Sequence, residues 1–584
     1  MSTYEKVKKE LSSFLQKNLS ANVEVPVNDL LEEPPELNLG EFALPCFQLA
    51  KIQKKAPPQI ASDLEETLKS QPHPWVEKFH AAGPYLNIKL KRSKFIKEVL
   101  KEIEESGKDY GKCNVGKNHT VVIDYSSPNI AKHLAFHHLR SAVIGNALEK
   151  IFEKIGYNVI GINHLGDWGT QFGKLICAYK LWWKKGPEDL TVTDLNNLYV
   201  KFQQECKTNK DLIPEGRNWF KKLEQGDEEA QNLWKIFREK SLVEFNKIYQ
   251  RLGIQFDETK GEADYIRDVP RILELLKKKK LSQNSEGALI VDLSDEDMPP
   301  FLLKKSDEST LYATRDLCAA IDRYEKHNFV RMLYVVDTGQ SLHFRQLFSV
   351  LNRMKFKWAP LCEHVNFGII KFEGTKTRTR EGNIILLEEV LDEAVKQIEK
   401  IMLDRGETKL LDQAQVCEQI GIGAVIFADL SGRRIRDVNF DWDEILKFEG
   451  RTGPYIQYSH ARANSILTKA NKMDEADQTR FLDQKETKPL TLDEEWQIVW
   501  NLGKYPSILK KAANDCEPSY IADNLLDICE SFHRYHTKGK INRELRVLTE
   551  NQPTRLARMY LTYCTREVLK NGLNVLGIHA PEVM

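Results

Sequence analysis

Residues 120–141 read TVVIDYSSPNIAKHLAFHHLRS. The first six residues are mostly apolar and β-branched, the composition of a buried strand. Ser126, Ser127, Pro128 and Asn129 follow as a polar, rigid turn. The stretch LRSAVIGNALEKIFEKIG (139–156) then has the periodicity of a helix. Strand, turn and helix in that order place the turn at the C-terminal end of the strand, where open α/β sheets bind ligands. The first turn of the helix offers free backbone N–H groups to phosphate, and Lys132, His137 and His138 add side-chain donors.

Working outward, NVIGIN (158–163), GALIVDL (287–293) and MLYVVD (332–337) also read as strands. SAVIGNALEKIFEKIG (141–156) and HFRQLFSVLNRM (343–354) read as helices. This alternation predicts a parallel α/β sheet across residues 113–370. Residues 178–285 are long, charged and helical, and are expected to form an insertion into it. Residues 1–112 mix helix and strand around a Pro-rich break, EVPVNDLLEEPPELNLGEF (24–42). Residues 371–447 begin with a charged loop and turn helical, and 448–584 are helical throughout.

A chain of 584 residues predicts several domains, and 41% hydrophobic content lets each bury a core. No run approaches the ~20 apolar residues of a membrane span. The opening MSTYEKVKKELSSFLQKNL lacks a signal-peptide core. The ten cysteines include no C-x-x-C pair, which argues against a disulfide framework or structural zinc and predicts a reducing, cytoplasmic setting. Net charge is zero, so wholesale coating of nucleic acid is disfavoured. Residues 532–570 nevertheless carry nine Lys/Arg against three Asp/Glu, a local basic face.

A second loop, EGTKTRTREGN (373–383), follows HVNFGIIKF, read as another strand of the same domain. It sets Lys376, Arg378 and Arg380 between glycines. Three cations on such a loop suit a polyphosphate and the charge developing on a departing pyrophosphate.

Five segments occur in one chain and in this order: DYSSPNIAKHLAFHHLRS, INHLGDWGTQFGK, LYATRDLCAA, FEGTKTRTREGNIILLEEVLDEA and GPYIQYSHAR. Together they resemble an arginyl-tRNA synthetase of class I, and the likeness runs through to the closing LNVLGIHAPEVM. The resemblance implies a multidomain α/β protein. It would have an N-terminal α+β domain that touches the tRNA elbow (1–112) and a Rossmann-like catalytic domain with its helical insertion (113–370). A connector carrying the ATP loop and stem contacts (371–447) and an all-α anticodon-binding domain (448–584) would follow. It implies activation of L-arginine by ATP, accompanied by Mg2+, and transfer of the arginyl group to the terminal ribose of tRNA(Arg). In this family the first step needs bound tRNA. No tightly held metal or organic cofactor is expected, nor a membrane, and a monomer is.

The resemblance also assigns residues. Tyr312 and Asp316, one helical turn apart, align with contacts to the substrate guanidinium. Asp124 stands where the family usually has Glu in the same role. Ser127 and Asn129 align with residues that hold the backbone end of arginine, and Gln340 with another arginine-site residue. His164, Asp167 and Gln171 are expected to line the same cleft. Lys132, His138 and Lys376 are the expected catalytic cations, and His137, Arg378 and Arg380 join them around ATP. Tyr455, Tyr458 and Arg462, at spacings of three and four along a helix face, align with anticodon contacts. Tyr535 and Met584 extend that set, and Tyr85 and Asn87 align with the elbow contact.

Two departures stand out. The family's first signature, His-x-Gly-His preceded by Lys, is here Ala135-Phe136-His137-His138. The missing imidazole must be replaced by His133 or His137, or the chain only binds tRNA. A His in place of Gly is also expected to crowd the ATP base and ribose. The second signature, Lys-Met-Ser-Lys in the class, is here Lys376-Thr377-Arg378-Thr379, and Lys132 is expected to stand in for the absent second lysine.

Overall fold

The fold comes from a computed structural model that describes residues 1–19, 26–36, 38–305, 311–372, 385–405, 412–473 and 487–584. The N-terminal part opens with the helix Thr3–Asn18. Its capping box has Ser2 Oγ accepting from the Glu5 N–H while the Ser2 N–H donates to the Glu5 carboxylate. Beside it lies an antiparallel sheet of β1 (Phe42–Pro45), β2 (Val76–Ala82) and β3 (Tyr85–Leu90) in the order β1-β3-β2. The helix Arg92–Ser106 then packs on the C-terminal bundle, with Phe95 edge-on to Trp496 at 5.4 Å.

The central sheet contains β4 (Thr120–Asp124), β5 (Asn158–Leu165) and β6 (Glu258–Gly261). Val121, Val122 and Ile123 are all fully buried, as expected of a strand covered on both faces. Between β4 and β5 runs the signature helix, His138–Lys154. Gly145 on this helix lies against the Tyr125 ring, where a Cβ would meet ring atoms at 2.2–2.5 Å. Because β6 belongs to the sheet, the insertion is shorter than the expected 178–285. It consists of the helices Val192–Thr208, Leu212–Glu224 and Glu228–Arg251.

The stretch GALIVDL does form a strand, but in a different sheet. Strands β7 (Ser282–Ser285), β8 (Ala288–Val291) and β9 (Phe301–Lys304) make a separate antiparallel sheet. Glu286 and Gly287 both take positive φ (49° and 79°), which gives the tight two-residue turn that pairs β8 back on β7. The central sheet is completed by β10 (Arg331–Tyr334) and β11 (Cys362–His364), in the parallel order β11-β10-β4-β5-β6. The strand before the cationic loop, β12 (Ile370–Phe372), pairs in parallel with β13 (Val438–Phe440) as a two-stranded sheet of its own.

The C-terminal bundle holds the helices Gly453–Met473, Asp493–Asn514, Ser519–Ile541 and Gln552–Val575 around buried Trp496, Tyr505 and Tyr560. Among the described residues, no helix is long and apolar enough to cross a membrane.

Candidate functional site

Strands β4, β5 and β10 end together, with Asp124 opposite Tyr334 on one side and Ile162 on the other. Beyond this edge Ser126 and Ser127 turn the chain with φ of 71° and 49°. The turn is pinned on both sides. The Ser126 N–H donates to Ser141 Oγ at 2.8 Å, and Ser141 Oγ donates to the Val335 carbonyl at 2.6 Å. The Gly166 N–H donates to the Pro128 carbonyl, and the Ile130 N–H to that of Gly166. The Ser-Ser-Pro-Asn turn and the Gly-Asp-Trp-Gly segment are thus joined, with Asn129 exposed at their seam.

Three carboxylates of this region differ in their partners. Asp124 is buried, its Oδ2 2.8 Å from the Arg323 guanidinium while Oδ1 accepts from Ser127 Oγ at 2.8 Å. The acid expected to hold the substrate guanidinium is therefore already occupied by the chain's own arginine. Asp167 is also turned away from the cleft where it was expected. It accepts from the Ala263 N–H and from Arg238 Nε, and Trp234 holds its carbonyl. Both partner side chains come from the insertion helix Glu228–Arg251, so Asp167 ties the segment to the insertion. Gln171 is half-buried at the start of the helix Thr170–Trp182.

Asp316 is different. Its side chain is 23% exposed, against 7% for Asp124 and 0% for Asp167. His343 Nε2 lies 2.8 Å from one carboxylate oxygen and His164 Nε2 3.5 Å from the other. Burial alone would raise the Asp316 carboxyl. The bonds and charges of His164 and His343 overcome this and hold it well below the usual carboxylate range. Burial likewise pushes the His164 imidazole down, but Asp316 and Asp124 reverse this, and the net shift is upward. Tyr312, one turn before Asp316 on the helix Tyr312–His327, places its exposed ring 5.1 Å from that of His343. Gln340 sits exposed on the turn leading into the helix Ser341–Arg353, which carries His343.

At the other end of the turn, His138 begins the signature helix, and its Nδ1 lies 3.0 Å from the Ala135 N and 3.1 Å from the Ala135 O. His137 is exposed, its ring tilted by 38° against that of His138 at 4.2 Å between centroids. Burial, together with the neighbouring His137 charge, pushes His138 down to about 4, and burial also lowers His137. The His138 imidazole is therefore neutral near pH 7. His133 faces elsewhere and does not replace the missing histidine. Its Nδ1 lies 2.6 Å from Glu244 and its Nε2 3.1 Å from Thr193 Oγ1, both on insertion helices. Lys132 is exposed beside the Tyr199 ring.

The cationic residues Lys376, Arg378 and Arg380 lie outside the described residues, but the chain on either side of their loop does not. Phe372, before it, packs its ring 4.9 Å from Phe136, and the Ile385 carbonyl, after it, accepts from the Phe136 N–H at 2.9 Å. Both ends of the loop thus meet the first signature.

In the C-terminal part, Tyr455, Tyr458, Arg462, Arg405, Phe448 and His533 line a cleft of about 450 Å³. Arg462 covers the Tyr458 ring at 4.5 Å, and Arg405 covers Phe448 at 4.2 Å. Tyr455 is itself mostly buried. Met584 packs on the same apolar cluster as Phe448. Tyr535 is not at this surface. It is 2% exposed in the bundle core, beneath Arg558, and His533 from the same helix faces the cleft in its place. In the N-terminal sheet, Asn87 is buried because β3 is the central strand, while Tyr85 is half-buried with Phe47 edge-on to it.

Sequence reasoning missed Arg323, His343 and His533. Arg323 follows Asp316 by seven residues, two helical turns on the same face, and that spacing was a signal. His343 and His533 meet their partners only through tertiary packing.

Residues 99–442 match the family described as "tRNA synthetases class I (R), catalytic domain". Residues 456–584 match the "DALR anticodon binding domain", and 5–90 the "Arginyl tRNA synthetase N terminal domain". The chain is 46% identical over 560 residues to an arginine–tRNA ligase of Bacillus cereus, covering 95% of this chain and 96% of that one. It is 43% identical over 588 residues, and all of both chains, to the arginine–tRNA ligase of Enterococcus faecalis. The crystal structure of Plasmodium falciparum arginyl-tRNA synthetase has the same fold, with a TM-score of 0.82 over 99% of both chains at 23% identity.

Proposed function

The chain belongs to the class I arginyl-tRNA synthetases, and from that premise we infer which of its residues carry each part of the work. It is an arginine–tRNA ligase. It joins arginine to ATP as arginyl-adenylate, releasing pyrophosphate, and passes the arginyl group to the 3′-terminal ribose of tRNA(Arg), releasing AMP.

We place the arginine at the C-terminal edge of β4 and β5. The observation that carries this is Asp316, a partly open carboxylate kept ionised between two imidazoles. A carboxylate presented in this way suits the planar fork of a guanidinium. Tyr312 flanks that end, and Gln340 stands on the neighbouring turn. Ser127 and Asn129, at the pinned turn, face the amino and carboxyl end of the substrate. Asp124 acts from behind, balancing Arg323.

ATP enters where His138 and the start of the signature helix offer donors. Lys132 and His137 add contacts, and Lys376, Arg378 and Arg380 are assigned to the phosphates, since the described chain on either side of them rests on Phe136. ATP comes with Mg2+, which neutralises phosphate charge. Attack of the arginine carboxylate on the α-phosphorus places negative charge on the departing pyrophosphate. His138 and the loop cations stabilise it there.

For tRNA, the cleft of Tyr455, Tyr458, Arg462 and His533 offers aromatic and guanidinium planes to unpaired bases. Of the basic stretch 532–570, Arg558 is buried against Glu495 and Arg566 pairs with Glu567, so only its exposed cations are left to track the phosphates, and Tyr85 is the N-terminal contact.

The test is arginylation of tRNA(Arg) by the Asp316→Asn variant. Charging is expected to fall to background while the affinities for ATP and tRNA, read by direct binding, stay within about twofold, because only the guanidinium loses its charged partner. An unchanged affinity for arginine would move the substrate site elsewhere.

A further inference from the structure

The carboxylates around the cleft are balanced by two kinds of partner. Asp124 has Arg323, and Glu262 has Arg315 at 2.8 Å; these cations are permanent. Asp316 has only imidazoles, His164 from β5 and His343 from the helix Ser341–Arg353. His343 is held firmly. Its ring lies against Phe301 of β9, Tyr312 of the helix Tyr312–His327, and the neighbouring Phe344. It is 9% exposed, so the Nε2 bond to Asp316 is fixed by packing.

His343 Nε2 lies 2.8 Å from one carboxylate oxygen of Asp316, so the ring fixes the direction in which the carboxylate meets an incoming cation. We propose that His343 is a positioning residue of the arginine site, orienting Asp316 toward the substrate guanidinium. This proposal rests on the placement of the substrate guanidinium at Asp316.

The experiment is steady-state arginylation, with arginine binding also measured directly by calorimetry, for His343→Leu, His343→Gln and Asp316→Asn. His343→Leu is expected to raise the KM for arginine about tenfold or more, the effect of losing a hydrogen bond to a charged group. The KM for ATP and for tRNA should change less than about twofold, which also certifies the fold. His343→Gln keeps a donor at this position and should bring the KM back to within about threefold of the parent. A parental arginine KM in His343→Leu, or a KM in His343→Gln no lower than that of His343→Leu, overturns the proposal. A parental arginine KM in Asp316→Asn instead overturns the placement of the guanidinium on which it rests. Loss of arginine affinity in Asp316→Asn alone sustains that placement and rejects the role of His343.

Discussion

His138 and His137 lie side by side, but their surroundings differ. The His138 ring is fixed on the Ala135 backbone at the start of the signature helix. His137 is exposed and free to turn toward a ligand. Removing one donor that acts on developing charge costs ~10²-fold or more in rate. His138→Ala is expected to lose that much in pyrophosphate release under single-turnover conditions, with the KM for arginine little changed. His137→Ala should lose about tenfold by the same measurement if it supplies the imidazole absent at Ala135; a parental rate would leave His137 only a stacking role. His133, which the sequence offered as an equal candidate, is excluded by its bonds to Glu244 and Thr193. These partners lie 111 and 60 residues away, so nothing local in AKHLAFHHLRS could reveal them. Asp316 was legible because Tyr312 and Asp316 share a helix face. The occupation of Asp124 was not, because it depends on how the helix Tyr312–His327 crosses the end of β4.

The signature helix holds the site to the rest of the molecule through two buried ionisable groups. Arg140 is 1% exposed and lies 2.6 Å from Asp429, while donating to the carbonyls of Gly368, Arg434 and Arg436. Arg140→Met leaves the Asp429 carboxylate buried and uncompensated. It should destabilise the protein by about 3–5 kcal/mol, read from the urea midpoint, and the double variant Arg140→Met/Asp429→Leu should recover most of that loss. One turn from the C-terminus of the same helix, burial pushes the Glu149 carboxyl up to about 7, although the hydrogen bond from Tyr125 Oη pulls it down. Between its ordinary 4.5 and 7 the folded chain keeps a proton that the unfolded chain has released. Stability therefore falls as pH rises through this window and is level above it. Glu149→Gln, which resembles the protonated acid, is expected to raise the melting temperature more at pH 8 than at pH 5. An equal shift at both pH values would remove the proton from the account. At this scale the helix and its strand were legible in the sequence, but β8 was expected in the parallel sheet and β12 was placed only in the same domain, without its sheet. A short apolar run marks a strand without naming its partner, and the turn at Glu286–Gly287 and the pairing with β13 decided that.

Across the whole molecule, the aromatic cleft of the C-terminal bundle and the ATP signature belong to one reaction, because the same tRNA must reach both. Stacking of a base on an aromatic ring is worth ~1–3 kcal/mol. Tyr458→Ala and His533→Ala should each weaken tRNA(Arg) binding by about ten- to hundredfold in filter binding, while the KM for arginine stays near the parent's. Tyr535→Phe should leave tRNA affinity within about twofold, since this ring lies in the bundle core and its hydroxyl touches no surface. The order of the signatures, the alternation of strands and helices and the helical C-terminus were determined by the sequence alone. Each is written in local composition and spacing, which govern strand and helix formation directly. Only the tertiary structure decided which carboxylate stays partly open, which histidine is tied to the insertion and which tyrosine lines the C-terminal cleft. These depend on charges and rings brought together from distant parts of the chain, and burial beside a partner changes what each side chain can do.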